Sequence, residues 1–203
     1  MYFKKKRATA MNHHEALFNH IRRFTPLSAD QAQVLTSAIK YKKIDRKDFL
    51  LQEHHVCTAY YFVLTGCLRY YRNTKNGVEQ ILQFAIPGWW LSDFQSFETQ
   101  KPSEYTIQAV QDCELLVLHR SDYEAVFNAA PAFNTYFRLM MQKAYTASLK
   151  KIELLLCESA EERYSQFVAD FPGFVQIVPQ YMLASFLGFT PQFLSMLRAK
   201  KDL

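Results

Sequence analysis

Glycine is scarce, with five in 203 residues, and no stretch is dominated by Gly, Pro or Ser. Collagen-like repeats, low-complexity segments and long disorder are excluded, because those need glycine, proline or charge in excess and few large apolar groups. No apolar run approaches the ~18 residues of a membrane helix. The basic segment Met1–Ala10 is not followed by the apolar stretch that a secretory signal requires. The four cysteines, Cys57, Cys67, Cys113 and Cys157, are widely spaced and form no CxxC. That spacing predicts reduced, buried thiols in a cytoplasmic protein, with Cys57–Cys67 the one conceivable disulfide. An iron–sulfur cluster needs four thiolates close together, and none are grouped. His54 and His55 are adjacent and on a strand point to opposite faces, so no metal site is expected. His119 reads as a core or cap residue. There is no Gly-rich phosphate loop, Ser-centred elbow or paired-carboxylate site, so the chain is not expected to be an enzyme.

What the sequence does have is a large apolar fraction, 49%, and 15% aromatics, enough for a sizeable core. The net charge is +5, but four positive charges sit together in Lys4, Lys5, Lys6 and Arg7, which leaves the rest of the chain at about +1. Such a tail is a solvated arm or a phosphate-binding arm.

The texture changes twice. Leu17, His20, Ile21 and Phe24 recur at helical spacing, Pro26 ends that helix, and Ser28 caps a second over Ala29–Lys40. From Tyr41 to Leu118 the period falls toward two. Strands are predicted over Thr58–Thr65, Gly66–Arg72, Val78–Ile86, Tyr105–Val110 and Cys113–Leu118. Asn76-Gly77 is expected to supply the positive-φ pair of a tight hairpin. The pattern is that of a small antiparallel barrel or sandwich. Ser121 is the expected cap of a helix over Ser121–Asn128. A long helix follows Pro131, and Phe133, Phe137, Met140, Ala144, Ala147, Lys151 and Leu154 step by three and four, as in a coiled-coil seam with Lys151 as its misfit. The row reads either as an amphipathic core helix or as a dimer helix.

Ser159-Ala-Glu-Glu162 is a capping box opening a helix through Asp170, which Pro172-Gly173 ends. Pro179–Leu187 is a short helix, Gly188 takes its left-handed C-terminal position, and Thr190-Pro191 opens the last helix. Leu183, Phe186, Leu187, Phe189, Leu194 and Leu197 point inward, with the small Ala184 where two helices cross. This is the logic of a helix-turn-helix, against the plainer reading of a helical hairpin in an α+β protein. The second helix would present Gln192, Ser195, Met196 and Ala199 outward. Gln192 suits adenine and Met196 a thymine methyl. Thr190 and the first-turn N–H groups suit a phosphate, with Arg198, Lys200 and Lys201 adding charge. Residues 158–203 nevertheless carry four basic residues against five acidic ones, and phosphate neutralisation dominates DNA affinity.

With these residues in view, positions 12–201 resemble the Crp/Fnr superfamily of transcription regulators, the cyclic-AMP receptor protein type. The likeness is strongest in Ser159–Tyr164, in Val178–Ser195 and in Tyr61–Arg69, where Gly66 permits a turn. It implies an α+β chain with an N-terminal antiparallel, jelly-roll-like β-roll sensor domain (12–128), a long dimerisation helix (129–157) and a C-terminal winged-helix-type helix-turn-helix domain (158–203). It also implies a homodimer, double-stranded DNA as partner, and an effector pocket against the dimer helix, placed at Gly66, Arg69, Trp90, Ser92, Asp93 and Ser103.

The departures matter. Members that bind cyclic AMP grip ribose and phosphate with Gly-Glu followed by Arg-Ser or Arg-Thr. Here Ser92-Asp93 replaces the first pair, no Arg stands near Ser103, and Glu104 would repel a phosphate. Lys101 is a poor substitute for a guanidinium. Cyclic AMP is therefore not expected, no cofactor is implied, and any small-molecule effector is unidentified. Trp89, Trp90, Phe94 and Phe97 either line an apolar pocket or fill the roll. Relatives commonly carry Arg where Met196 stands, which points to weaker binding or an A·T-richer target. The sequence reading is thus a homodimeric, DNA-binding regulator without a membrane segment. The alternative is a small-molecule- or partner-binding module whose helix-turn-helix is degenerate.

Overall fold

A computed structural model describes the backbone of residues 3–201 and the side chains of residues 13–199. The side chains of Lys4–Arg7, Lys200 and Lys201 lie outside the described residues. The chain forms two compact units, Met1–Tyr70 with Phe84–Gln142, and Tyr71–Gln83 with Lys143–Leu203. The sequence reading placed its boundaries at 128/129 and 157/158. The division between the units instead falls inside the long helix, and the tip of one hairpin groups with the C-terminal part.

The first unit opens with α1 (Phe3–Arg22) and α2 (Ala29–Ala38), then β1 (Lys40–Ile44), β2 (Phe49–Leu51) and β3 (Ala59–Thr65). The strand β4 (Leu68–Asn73) leaves this unit and β5 (Glu79–Ala85) returns to it. β6 (Trp90–Leu91), α3 (Phe94–Thr99), β7 (Thr106–Ala109), β8 (Cys113–His119) and α4 (Arg120–Ala129) follow, and then α5 (Pro131–Cys157). The strands make two four-stranded sheets, in the orders β1-β8-β3-β6 and β2-β7-β4-β5. The pairs β1–β8, β3–β8, β3–β6 and β2–β7 are antiparallel. This is the expected antiparallel roll, followed by helices.

Local chemistry sets the ends of the elements. The Ser28 hydroxyl accepts the Gln31 N–H and starts α2. At the end of β3, Gly66 turns with φ +87°; a Cβ there would sit 2.6 Å from Cys113 Sγ and against the Asp112 carbonyl. Only glycine fits that turn. At the β4–β5 turn the expectation was of two positive-φ residues, but Gly77 alone is positive (φ +74°). The Gly77 N–H reaches the Thr74 carbonyl and the Thr74 N–H reaches the Val78 carbonyl, both at 2.9 Å. The loop is therefore wider than a two-residue hairpin. Ser121 does not cap α4. That helix starts one residue earlier behind His119, an exposed cap position without a side-chain bond, and the Ser121 hydroxyl turns to Asp122.

The core of this unit is aromatic. Trp90 packs on Phe62, Phe133 and Phe137, and Tyr60 on Phe97, Tyr123 and Phe137. Tyr60 and Tyr136 are almost fully buried. Tyrosine can be buried so deeply only when its hydroxyl finds a partner. The Tyr136 hydroxyl accepts Trp90 Nε1–H at 3.0 Å, which leaves its own proton for His20 Nδ1 at 2.7 Å. All four cysteines are free, and only Cys157 is exposed. Burial pushes the Cys67 thiol up to about 12, so it behaves as an apolar side chain.

In the second unit every assigned element from Lys143 to Lys201 is helical: the last turns of α5, α6 (Ala160–Asp170), α7 (Phe174–Ile177), α8 (Gln180–Leu187) and α9 (Pro191–Lys201). Both bonds of the Ser159–Glu162 capping box are made, and the Ser159 hydroxyl and backbone N–H, both donating to Glu162 Oε2, hold that carboxyl below its usual range. Tyr164, Leu183, Ala184, Leu187, Leu194 and Leu197 form the core.

Candidate nucleic-acid interface and effector region

Helices α8 and α9 build the first candidate site. Gly188, at φ +76°, lets the Phe189 N–H reach the Ala184 carbonyl at 2.8 Å and its own N–H reach the Ser185 carbonyl at 3.3 Å. That pair of bonds is a Schellman stop, which ends α8 and turns the chain sharply. Two residues later the Thr190 hydroxyl accepts the Phe193 N–H at 3.2 Å and α9 begins at Pro191. Leu194 and Leu197 bury one side of α9 against Leu183, Ala184 and Leu187. The other side presents Gln192, Ser195, Met196 and Ala199 to solvent, with Met196 48% exposed. Thr190 is exposed at the helix start and its O–H remains able to donate, while Arg198 is half-buried. Gln192, Ser195 and Met196 thus share one face, as their spacing predicted. The Lys200 side chain is outside the described residues.

The effector residues do not all converge. Gly66 sits at its turn beside Cys113. Arg69 is buried on β4, and its Nε and Nη2 donate to Gln108 Oε1 at 3.0 and 2.6 Å. The Trp90 indole belongs to the aromatic core described above. Ser92, Asp93 and Ser103 do gather, all about 3% exposed. The Ser92 hydroxyl donates to the Ala59 carbonyl at 2.9 Å, with Cys57 Sγ at 3.3 Å. Asp93 caps α3: its Oδ1 accepts the Ser96 N–H at 3.2 Å and its Oδ2 accepts the Ser103 hydroxyl at 2.5 Å. The Tyr70 hydroxyl also bonds to Asp93, and burial together with that neighbouring carboxylate raises its pKa. Sequence reasoning missed Tyr70 and Ser96. The Asx-type cap at Asp93, three residues before Ser96, was the signal available for Ser96.

This cluster is a poor seat for a cyclic phosphate. A buried carboxylate holds its centre, where a second anion would be repelled and stripped of water. The nearest buried guanidinium, that of Arg69, is engaged with Gln108. Phe97 is fully buried, whereas Trp89 and Phe94 are each 39% exposed. The aromatics therefore fill the roll from Trp90 and Phe97 inward and leave two rings at its surface. Among the described residues no group of three His, Cys, Asp or Glu is placed to hold a metal ion.

Along the long helix the row read from the sequence divides, its first part meeting the core-helix alternative. Phe133 and Phe137 are buried in the roll's core, with Met140 packed against it. Ala144 and Ala147 are exposed. Lys151 is half-buried; its Nζ donates to the Leu82 carbonyl at 2.8 Å and lies 3.6 Å from the centroid of the Phe186 ring. The large apolar side chains left outside are Tyr145 (66% exposed), Leu149 (47%), Ile152 (51%), Leu155 (39%) and Leu156 (80%). Tyr145, Leu149, Ile152 and Leu156 step by 4, 3 and 4, a second row with seam spacing, and Leu155 lies beside it.

Residues 41–130, most of which lie in the first unit, match the family model described as the cyclic nucleotide-binding domain. The chain as a whole shares its fold with several solved proteins, among them one described as a putative transcriptional regulator of the crp/fnr family. FixK2 from Bradyrhizobium japonicum superposes with a TM-score of 0.68 at 18% identity, covering 80% of this chain and 83% of its own. A crp/fnr-family putative transcriptional regulator from Eubacterium rectale gives 0.66 at 16% identity, covering 89% and 88%. The c-di-GMP-responsive global regulator CLP of Xanthomonas campestris gives 0.71 at 13% identity, covering 86% and 92%. Comparison with curated protein sequences returned no match. No helix among the described residues is long and apolar enough to cross a membrane.

Proposed function

We propose that this chain is a DNA-binding transcription regulator that acts as a homodimer. It binds rather than catalyses and works in the cytoplasm, where the chromosome is accessible. The observation that carries the reading is the outward face of α9, where Gln192, Ser195 and Met196 stand on a helix fixed by the Gly188 stop and the Thr190 cap. Gln192 would bond an adenine edge and Met196 would meet a thymine methyl. Thr190, Arg198 and Lys200 would contact phosphates and set the register. The exposed Tyr145, Leu149, Ile152 and Leu156 row would pair with a second copy of itself. Two recognition helices would then read half-sites about one helical turn apart.

The Ser92, Asp93 and Ser103 cluster supports an effector other than a cyclic phosphate, or a roll that responds through its packing alone. In either case the roll would act by shifting the population of reader orientations. One observation favours a second reading, a partner-binding module with a degenerate reader: Met196 occupies a base-reading position in a region of net charge −1.

Selection from a random duplex pool at low and moderate salt tests the first reading. The expected result is a two-fold symmetric site whose affinity falls steeply with salt. On that site Arg198→Ala weakens binding to all sequences about equally. Gln192→Ala costs about 1–3 kcal/mol at one position and relaxes preference there. Recovery of no motif at any salt, with neither substitution having an effect, refutes it in favour of the second reading.

A further inference from the structure

The hairpin between β4 and β5 makes contacts that neither site above uses. Residues 71–83 belong to the same compact unit as the helix-turn-helix. β5 is the outer strand of its sheet, and an outer strand has a side whose N–H and C=O groups lack a neighbouring strand. Here a serine from α8 stands in for that neighbour. The Ser185 hydroxyl accepts the Ile81 N–H at 2.9 Å and donates to the Glu79 carbonyl at 2.7 Å. Gln80 Nε2 donates back to the Ser185 carbonyl at 2.5 Å. One residue on, the Leu82 carbonyl accepts from Lys151, whose ammonium also lies over Phe186 of α8. Four consecutive residues, 79–82, are thereby tied to α8 and α5.

We propose that this is a releasable latch on the reader, and that it opens when α9 docks on DNA. The second half rests on the DNA-binding reading above. The contact is built as a latch rather than as a core. Ile81 itself is buried, but Val78 and Leu82 on either side of the contact are 59% and 38% exposed, so its edges are open to water. Hydrogen bonds at such half-wet positions exchange for water at small net cost. Lys151 is held out of water at the same place, and burial lowers its proton affinity to about 8; that cost opposes the bonds and brings the contact closer to balance. The element it holds is α8, the helix that crosses the phosphate backbone when its successor enters the major groove. Between Cys157, the end of α5, and Ala160, the start of α6, only two residues intervene. With the latch closed α8 has one orientation relative to the hairpin, and with the latch open that break can act as a swivel.

Amide exchange at Ile81 tests both halves in the full chain. Ser185→Ala removes the hydroxyl without disfavouring the helix, and Ser185→Thr keeps it. Without DNA, Ile81 exchange should quicken about tenfold in S185A and return toward the original rate in S185T. With a saturating selected duplex, Ile81 in the unmodified chain should quicken toward the S185A rate. By reciprocity S185A should then bind that duplex severalfold more tightly. Unchanged Ile81 exchange in S185A overturns the latch. A bound duplex that leaves Ile81 as protected as before overturns the release while leaving DNA binding intact. If no duplex binds at any salt, DNA binding and release fall together, and the comparison without DNA still decides whether the latch exists.

Discussion

Tyr136→Phe removes one oxygen from the middle of the roll's core and keeps the ring. In the native chain that oxygen accepts Trp90 Nε1–H at 3.0 Å and faces His20 Nδ1 at 2.7 Å. Tyr136 is fully buried and Trp90 is only 6% exposed, so the indole N–H would be left without a partner and out of reach of water. A buried orphan donor costs about 1–3 kcal/mol. His20 is half-buried and can turn to water, which adds no more than about 0.5 kcal/mol. The expected loss is about 2 kcal/mol. At a urea dependence of about 2 kcal/mol per molar, the midpoint should fall by about 1 M. The chain's only tryptophans are Trp89 and Trp90, both in the first unit, so intrinsic fluorescence follows that unit's unfolding. Adding Trp90→Phe removes the donor too. The double variant should then be less destabilised than the two single losses summed, because the orphan is gone; Trp89 still reports. A midpoint shift below about 0.3 M for Tyr136→Phe would refute the assignment of that hydroxyl as the indole's partner.

Two further outcomes follow from α5. Ile152→Glu should leave the fold intact, since the position is 51% exposed, but should weaken self-association more than about 100-fold. Each dimer would bury two carboxylates, at several kcal/mol per ion; an unchanged sedimentation coefficient at micromolar concentration would remove this row from the interface. Lys151→Met should flatten the pH dependence of stability between about 8 and 10.5. Burial lowers the folded-state value from 10.5 to about 8, so across that window the unfolded chain binds the extra proton and stability rises with pH. Below pH 8 both states are protonated and the cost of burying the charge is fully present. The difference between the two proteins' unfolding midpoints at pH 7.5 and pH 10 isolates this group, because tyrosine titration is common to both. An identical pH slope would refute it.

The ends of α6, α8 and α9 were legible because their signals act within a few residues: the Ser159–Glu162 box, the glycine at 188, and Thr190-Pro191. β1, β2 and α3 were not. The first four residues of β1 are exposed on both faces and show no alternation. β2 has three residues and a register shift against β7. α3 depends on Asp93, and family resemblance had placed Ser92-Asp93 at a ligand grip; the structure uses Asp93 as a cap. Of the six effector residues Ser92, Asp93 and Ser103 gather, while Gly66, Arg69 and Trp90 are separated from them by direction. Arg69 and Tyr70 are neighbours in sequence, yet Arg69 turns to Gln108 and Tyr70 to Asp93. Alternation along a strand sends successive side chains to opposite faces, and a list of motif positions carries no such information.

The seam shows the same limit at larger scale. α5 carries two apolar rows at heptad spacing, one through Phe133 and Phe137 to Lys151 and one through Tyr145, Leu149, Ile152 and Leu156. Periodicity cannot rank them, because both satisfy it. Packing does. The roll takes Phe133 and Phe137, and Phe186 with the Leu82 carbonyl takes Lys151. The misfit lysine was therefore never a flaw in an interface; it belongs to a different contact. What remains outside is the second row, and its Ile152 follows Lys151 directly in sequence. Successive helical residues project about 100° apart, so the proposed dimer seam and the hairpin latch share one turn of one helix. A second copy pressing on Ile152 and a reader pulling on Lys151 then act on the same backbone. On this geometry dimerisation and reader release, as proposed above, would be coupled even without a ligand in the roll.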